Sequence, residues 1–151
     1  MANPSTVSGG WRTPVLVVLA LAFAGRVAAQ LIQAVTEVSW LPAFSAWQSG
    51  ALPYPALLVS QLLIIAVQVE LIRRSVKGRF APSRTLQVVL GVLGSIYALV
   101  IVVRLAAGAT IFDGHSWFDA PIPSFFHLVL ASFVLVLALP FNRSGTARDR
   151  S

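Results

Sequence analysis

The stretch FAGRVAAQLIQAVTEVSW, residues 23–40, sets an arginine inside an apolar run and follows it with Gln30, Gln33 and Glu37. At 100° per residue, those three side chains fall within roughly 40° of Arg26 on a helical wheel. One narrow face of this helix is therefore polar, while its other faces are Ala, Val, Leu and Ile. A charged side chain at the centre of a bilayer costs from about 2.5 kcal/mol on insertion scales to over 10 kcal/mol in simulations. Such residues face protein or water, so the stripe is expected to point into a helix bundle.

The rest of the chain supplies that bundle. Of the 151 residues, 57% are hydrophobic and 11% charged, whereas a soluble domain carries about 25% charged residues. Crossing a bilayer takes about 20 apolar residues. Segments near 13–36, 54–72, 85–108 and 122–140 meet that length. The expected class is an all-α integral membrane protein, a four-helix transmembrane bundle over 13–141. A tail without order of its own at 1–12 and a basic tail at 142–151 flank it. Arg12, the apolar run from Pro14 and Ala22-Phe23-Ala24 also resemble a secretory signal with a small-residue cleavage site. Apolar character continues past Ala24 to Val35, however, so the first segment is expected to remain as a full span.

Charge sets the orientation. Between the second and third spans runs RRSVKGRFAPSR, with five Lys or Arg. Arg12 precedes the first span, and Arg143, Arg148 and Arg150 follow the last. Loops 37–53 and 109–121 hold no Lys or Arg, only Glu37, Asp113 and Asp119. Positive residues stay on the cytoplasmic side. Both termini and the central loop are thus expected inside and the acidic loops outside, in a plasma or inner membrane. The net charge of +6 gathers at span ends and not along a soluble face, which argues against nucleic acid as a partner.

Local signals fill in the loops. Trp40, Phe44, Trp47 and Tyr54 suit a headgroup layer, and residues 41–48 are expected to form a short helix on the membrane, closed by Gly50. Pro53 and Pro55 suit the start of the second helix, and Ser83 is a candidate N-cap for the third. Glu70 stands at helical ion-pair spacing from Arg73 and Arg74. Gly91, Gly94, Ser95 and Ala98 form a small-residue face that admits a close neighbour.

The other spans place polar residues at matching depth. Gln61 lies roughly 10 Å below the outer end of the second span, and Gln68 continues its face one heptad deeper. Arg104 lies roughly 6 Å below the outer end of the third span, with Tyr97 deeper on its face. His127 enters at a similar level on the fourth, with Ser124 beside it. The expectation is an outward-facing polar pocket lined by Arg26, Gln30, Gln33, Gln61, Arg104 and His127, with Glu37, His115 and Asp119 at its mouth. Arg104 is also near enough to the surface to snorkel, and Glu37 is placed to pair with it.

The residue inventory excludes much chemistry. The absence of cysteine removes disulfides, thiol redox chemistry and thiolate metal sites. A bis-histidine haem needs two imidazoles on facing helices, and only His127 lies in a span. His115, Asp113, Asp119 and His127 match no metal spacing, no G-x-S-x-G element occurs, and no glycine loop for phosphates is present. Neither metal nor cofactor is expected. The leading expectation is a non-enzymatic membrane protein that binds a small amphipathic ligand or serves as accessory subunit or homo-oligomer in the bilayer. An enzyme acting on a lipid or isoprenoid from the outer side, with His127 as acid–base, comes second. A transporter comes third, because the polar groups thin out toward the inner side.

Overall fold

The structure, a computed structural model, describes residues 11–47, 52–110 and 121–139. It holds four long helices, α1 (Arg12–Val35), α2 (Tyr54–Val76), α3 (Arg84–Thr110) and α4 (Pro121–Ala138), and a 3-10 helix at Phe44–Trp47. All four are long and apolar enough to cross a membrane, and no strand occurs among the described residues. The ends match the expected spans closely, except that α2 runs four residues past 72, to Val76. That extra turn carries Arg73 and Arg74, whose charges suit a helix C-terminus.

The helix ends follow their residues. Pro53 stands as N-cap of α2 and a proline occupies its first turn, where a missing N–H costs least. At the other end Gly78 adopts φ 64°, a left-handed conformation that glycine takes without a Cβ clash. Its N–H bonds the Ser75 carbonyl at 3.1 Å, and the Arg79 N–H bonds the Arg74 carbonyl at 2.9 Å. These bonds form a Schellman motif, which satisfies the last helical carbonyls. Ser83 Oγ then accepts the Leu86 N–H at 3.2 Å, the N-cap bond expected for α3.

Helix packing departs from a closed ring. α1 lies against α2 and α4, and α4 lies against α1 and α3. The backbones of α2 and α3 do not approach each other, although the two helices are consecutive. The order across the molecule is therefore α2–α1–α4–α3, with α1 and α4 as the central pair. The small-residue face of α3 explains the tight α3–α4 seam. A Cβ on Gly94 would come within 3.0 Å of Leu135 Cδ2, and one on Gly91 within 3.7 Å of the Ala138 Cβ.

Two apolar clusters fill the α1–α4 interface. At the end bearing the basic loop, Leu16, Phe133 and Leu137 are buried, with Leu71 and Ile72 of α2, Phe80 of the loop and Leu90 of α3 against them. Further along, Phe23, Val27 and Val129 form a second cluster with Leu58, Ile64, Ile65 and Phe126. Arg12 donates to the Leu139 carbonyl at 3.1 Å, which ties the start of α1 to the end of α4. Beyond the second cluster the interior turns polar.

Candidate functional site

The polar stripe of α1 faces the other helices for most of its length. Arg26 is 7% exposed, Gln30 fully buried and Gln33 nearly so. Glu37 breaks the pattern. α1 ends at Val35, so Glu37 leaves the helical register and stands exposed. It makes no ion pair with Arg104 among the described residues, contrary to the pairing its helical position suggested. Gln33 accounts for the exit of the chain: its Oε1 accepts the Val38 N–H at 3.1 Å.

Arg26 reaches across to the 3-10 helix, and its Nη2 donates to the Trp47 carbonyl at 2.9 Å. Its guanidinium carbon also stands 5.5 Å from the centre of the Phe126 ring on α4, a cation–π distance. Its Nε is buried with no hydrogen-bond partner. Trp47 itself is buried and donates its indole N–H to the Pro42 carbonyl at 3.0 Å. The sequence placed Trp47 with Trp40 in a headgroup layer. The structure keeps Trp40 outside, at 80% exposure, and turns Trp47 inward as the support of Arg26. The short helix itself is also briefer than the expected 41–48.

The neighbouring helices bring their polar residues to the same region. Gln61 of α2 is buried and donates through Nε2 to Gln30 Oε1 at 3.2 Å. That bond leaves Gln30 Nε2 and Gln61 Oε1 buried without partners. On the far side, the Tyr97 hydroxyl of α3 is hydrogen-bonded to His127 Nδ1 of α4, their rings meeting edge to face at 5.9 Å. Arg104 is buried, where its depth in the sequence also allowed snorkelling to the surface. Ser124, one turn before His127, is fully buried. The Gln61–Gln30 bond thus joins α2 to α1, Arg26 of α1 stands over Phe126 of α4, and the Tyr97–His127 bond joins α3 to α4.

A cleft of about 420 Å³ opens above this region, lined by Gln33, Glu37, Val38, Ser39, Leu41, Ala43 and Phe44. It runs between the end of α1 and the 3-10 helix, so Gln33 is shared by the buried stripe and the cleft. Glu37 is among the residues that line this cleft. His115 and Asp119, the other expected mouth residues, lie outside the described residues, as does Asp113. Gln68 was legible only as a continuation of the Gln61 face. It is 2% exposed, and both its amide oxygen and its amide nitrogen are buried without partners. The Trp47 carbonyl and the Phe126 ring carry no polar side-chain signal, so nothing in the sequence pointed to them as contacts of Arg26.

The arrangement can hold an acid. A guanidinium offers five N–H donors in a planar fork and does not deprotonate in proteins. Around Arg26 there is one carbonyl, one ring face and no carboxylate among the described residues. Its remaining donors and the amides of Gln30 and Gln61 point the chemistry toward a hydrogen-bonding anion. No known family model, curated protein or solved structure matches this chain.

Proposed function

We propose that the chain is a multi-pass protein of a plasma or inner membrane, with both termini cytoplasmic, that binds a small amphipathic ligand by its acidic head. Arg26 is the anchor of the site, Gln30, Gln61 and Arg104 surround the head, and His127 with Tyr97 forms its far wall. The cleft at Gln33 and Glu37 is the way in from the outer side. The observation that carries this reading is Arg26: a buried permanent cation with one carbonyl partner and an unpartnered Nε. A buried charge without a counter-ion is strongly unfavourable. A carboxylate or phosphate matches the fork in both charge and shape. The apolar walls of Phe23, Val27 and Val129 below the head suit a hydrocarbon tail, which makes the ligand amphipathic rather than a bare ion.

Native mass spectrometry of the protein, extracted from its own membranes in a mild detergent, tests this directly. The expected result is a reproducible added mass of small-molecule size, lost in Arg26→Gln and in Arg104→Gln. An added mass of protein size would instead support the accessory-subunit form of the same site, with the acid supplied by a partner chain. A bare chain mass in the wild type and both variants would leave Arg26 a structural tie to the 3-10 helix and end the ligand reading.

A further inference from the structure

The second charged feature lies at the opposite end of the molecule and plays no part in the Arg26 site. Arg73, Arg74, Lys77 and Arg79 surround a cavity of about 340 Å³ together with one carboxylate, Glu70. Loop cations at a span end have a general orienting role, which requires no particular shape. This loop has a shape. The Schellman bonds at Gly78 and Arg79 fix the turn, and the Phe80 N–H adds a second bond to the Arg74 carbonyl at 3.2 Å. Phe80 then packs into the cluster of Leu16, Phe133 and Leu137, which pins the loop to the core just past its cations.

The charges within the cavity are unevenly matched. Glu70 accepts from Arg74 Nε at 2.8 Å and stands 3.8 Å from Arg73 Nη1. It orients those two guanidiniums at the last turn of α2. Lys77 and Arg79 have no carboxylate partner among the described residues. Four cations thus face a pocket with a single acid, on a turn held rigid by glycine and phenylalanine, where an apolar helix of membrane-spanning length ends.

We propose that this cavity binds the phosphate group of an anionic phospholipid. The site lies at the C-terminal end of α2, a helix of membrane-spanning length, and basic pockets at the cytoplasmic side of transmembrane helices bind such headgroups. Glu70 sets the Arg73 and Arg74 forks, while Lys77 and Arg79 supply the unmatched charge. The bundle end supplies a tail-facing surface beside them, since Val69 and Val76 of α2 are exposed apolar residues on either side of the cluster. This inference rests on the membrane reading and is independent of the Arg26 site.

The test is native mass spectrometry of purified, delipidated protein in mild detergent, titrated with phosphatidylglycerol and, separately, with phosphatidylcholine. Wild type should retain one phosphatidylglycerol selectively. Each cation near an anionic headgroup contributes on the order of a fivefold effect, so Lys77→Gln with Arg79→Gln should weaken retention roughly twentyfold. The charge-preserving pair Lys77→Arg with Arg79→Lys should keep it. These exposed positions leave the fold intact, and Arg26→Gln should not change phosphatidylglycerol retention. Equal retention of both lipids, or no loss in the double Gln variant, would overturn the proposal. Displacement of the lipid by millimolar inorganic phosphate would also overturn it, because the occupant would then be a soluble phosphate.

Discussion

The two ends of the α1–α4 interface are made by the same helices and do opposite work. At the basic-loop end, Leu16, Phe133 and Leu137 form an apolar core, and Arg12 adds a hydrogen bond to the Leu139 carbonyl. At the other end, Arg26, Gln30, Gln61, Arg104 and Ser124 are as deeply buried, and Arg26 Nε, Gln30 Nε2 and Gln61 Oε1 have no hydrogen-bond partner. Within a bilayer, lipid tails are as apolar as leucine, so apolar packing gains come from close fit. A fold that needed only stability would repeat the first kind of packing throughout. The second kind costs stability wherever its hydrogen-bonding capacity is unused, and that cost is the reason the polar end is proposed as the binding end.

This contrast predicts where substitutions register. Phe133→Ala should have the largest effect on folding, a loss of about 3 kcal/mol in denaturation measured in micelles, with binding per folded molecule unchanged. A loss of anionic-ligand binding by this variant at full folding would break the division between the two ends. Gly94→Val should cost about 2 kcal/mol by overpacking against Leu135 and Val134, both within 3.3 Å of a Cβ built there. Gly91→Ala meets only the Ala138 Cβ at 3.7 Å, so it should be nearly neutral. Equal costs at the two glycines would contradict the tight α3–α4 seam.

At the polar end the signature reverses. Arg26→Met removes a buried charge whose partners are one carbonyl and one ring face, so thermal stability in detergent should hold or rise, by up to about 4 kcal/mol. Ligand affinity, by contrast, should fall at least tenfold, about 1.4 kcal/mol. A large loss of stability with unchanged binding would reassign Arg26 to the structure. The smallest effect belongs to the Gln30–Gln61 bond, a side-chain hydrogen bond between α1 and α2. A double-mutant cycle with leucine at both positions should give a coupling of about 0.6 kcal/mol, the average for membrane hydrogen bonds.

Much of this contrast was legible before any coordinates. Apolar length found the four helices, and the 100° period placed Arg26, Gln30 and Gln33 on the buried face. Gly91 and Gly94 announced a close seam, Ser83 a cap and Glu70 its arginine neighbours. Those features depend on local periodicity or on backbone sterics, which a single sequence contains. Other features depend on partners far along the chain. Glu37 lies on the wheel position of the stripe, but the helix stops at Val35 and the wheel no longer applies. Trp47 has the amphipathic ring of an interfacial residue, and only the reach of Arg26 to its carbonyl turned it inward. Consecutive helices are expected to neighbour each other, and α2 and α3 do not. Which helices pair is set by side-chain fit at Gly94 and around Phe133, not by chain order.

The central claim is that Arg26 holds an acid rather than a helix. It is tested most directly by thermal unfolding in detergent with single-chain amphiphiles that share a tail and differ in head: carboxylate, phosphate, choline and glycerol. Saturating an anionic site at a hundred times its dissociation constant stabilises the fold by about 2.7 kcal/mol. The carboxylate or phosphate amphiphile should raise the wild-type melting temperature by several degrees, about the shift that energy implies for a domain of this size. The choline and glycerol amphiphiles should leave it unchanged, and Arg26→Gln should abolish the difference. Equal shifts for all four heads, or a head-dependent shift that survives in Arg26→Gln, would contradict the claim.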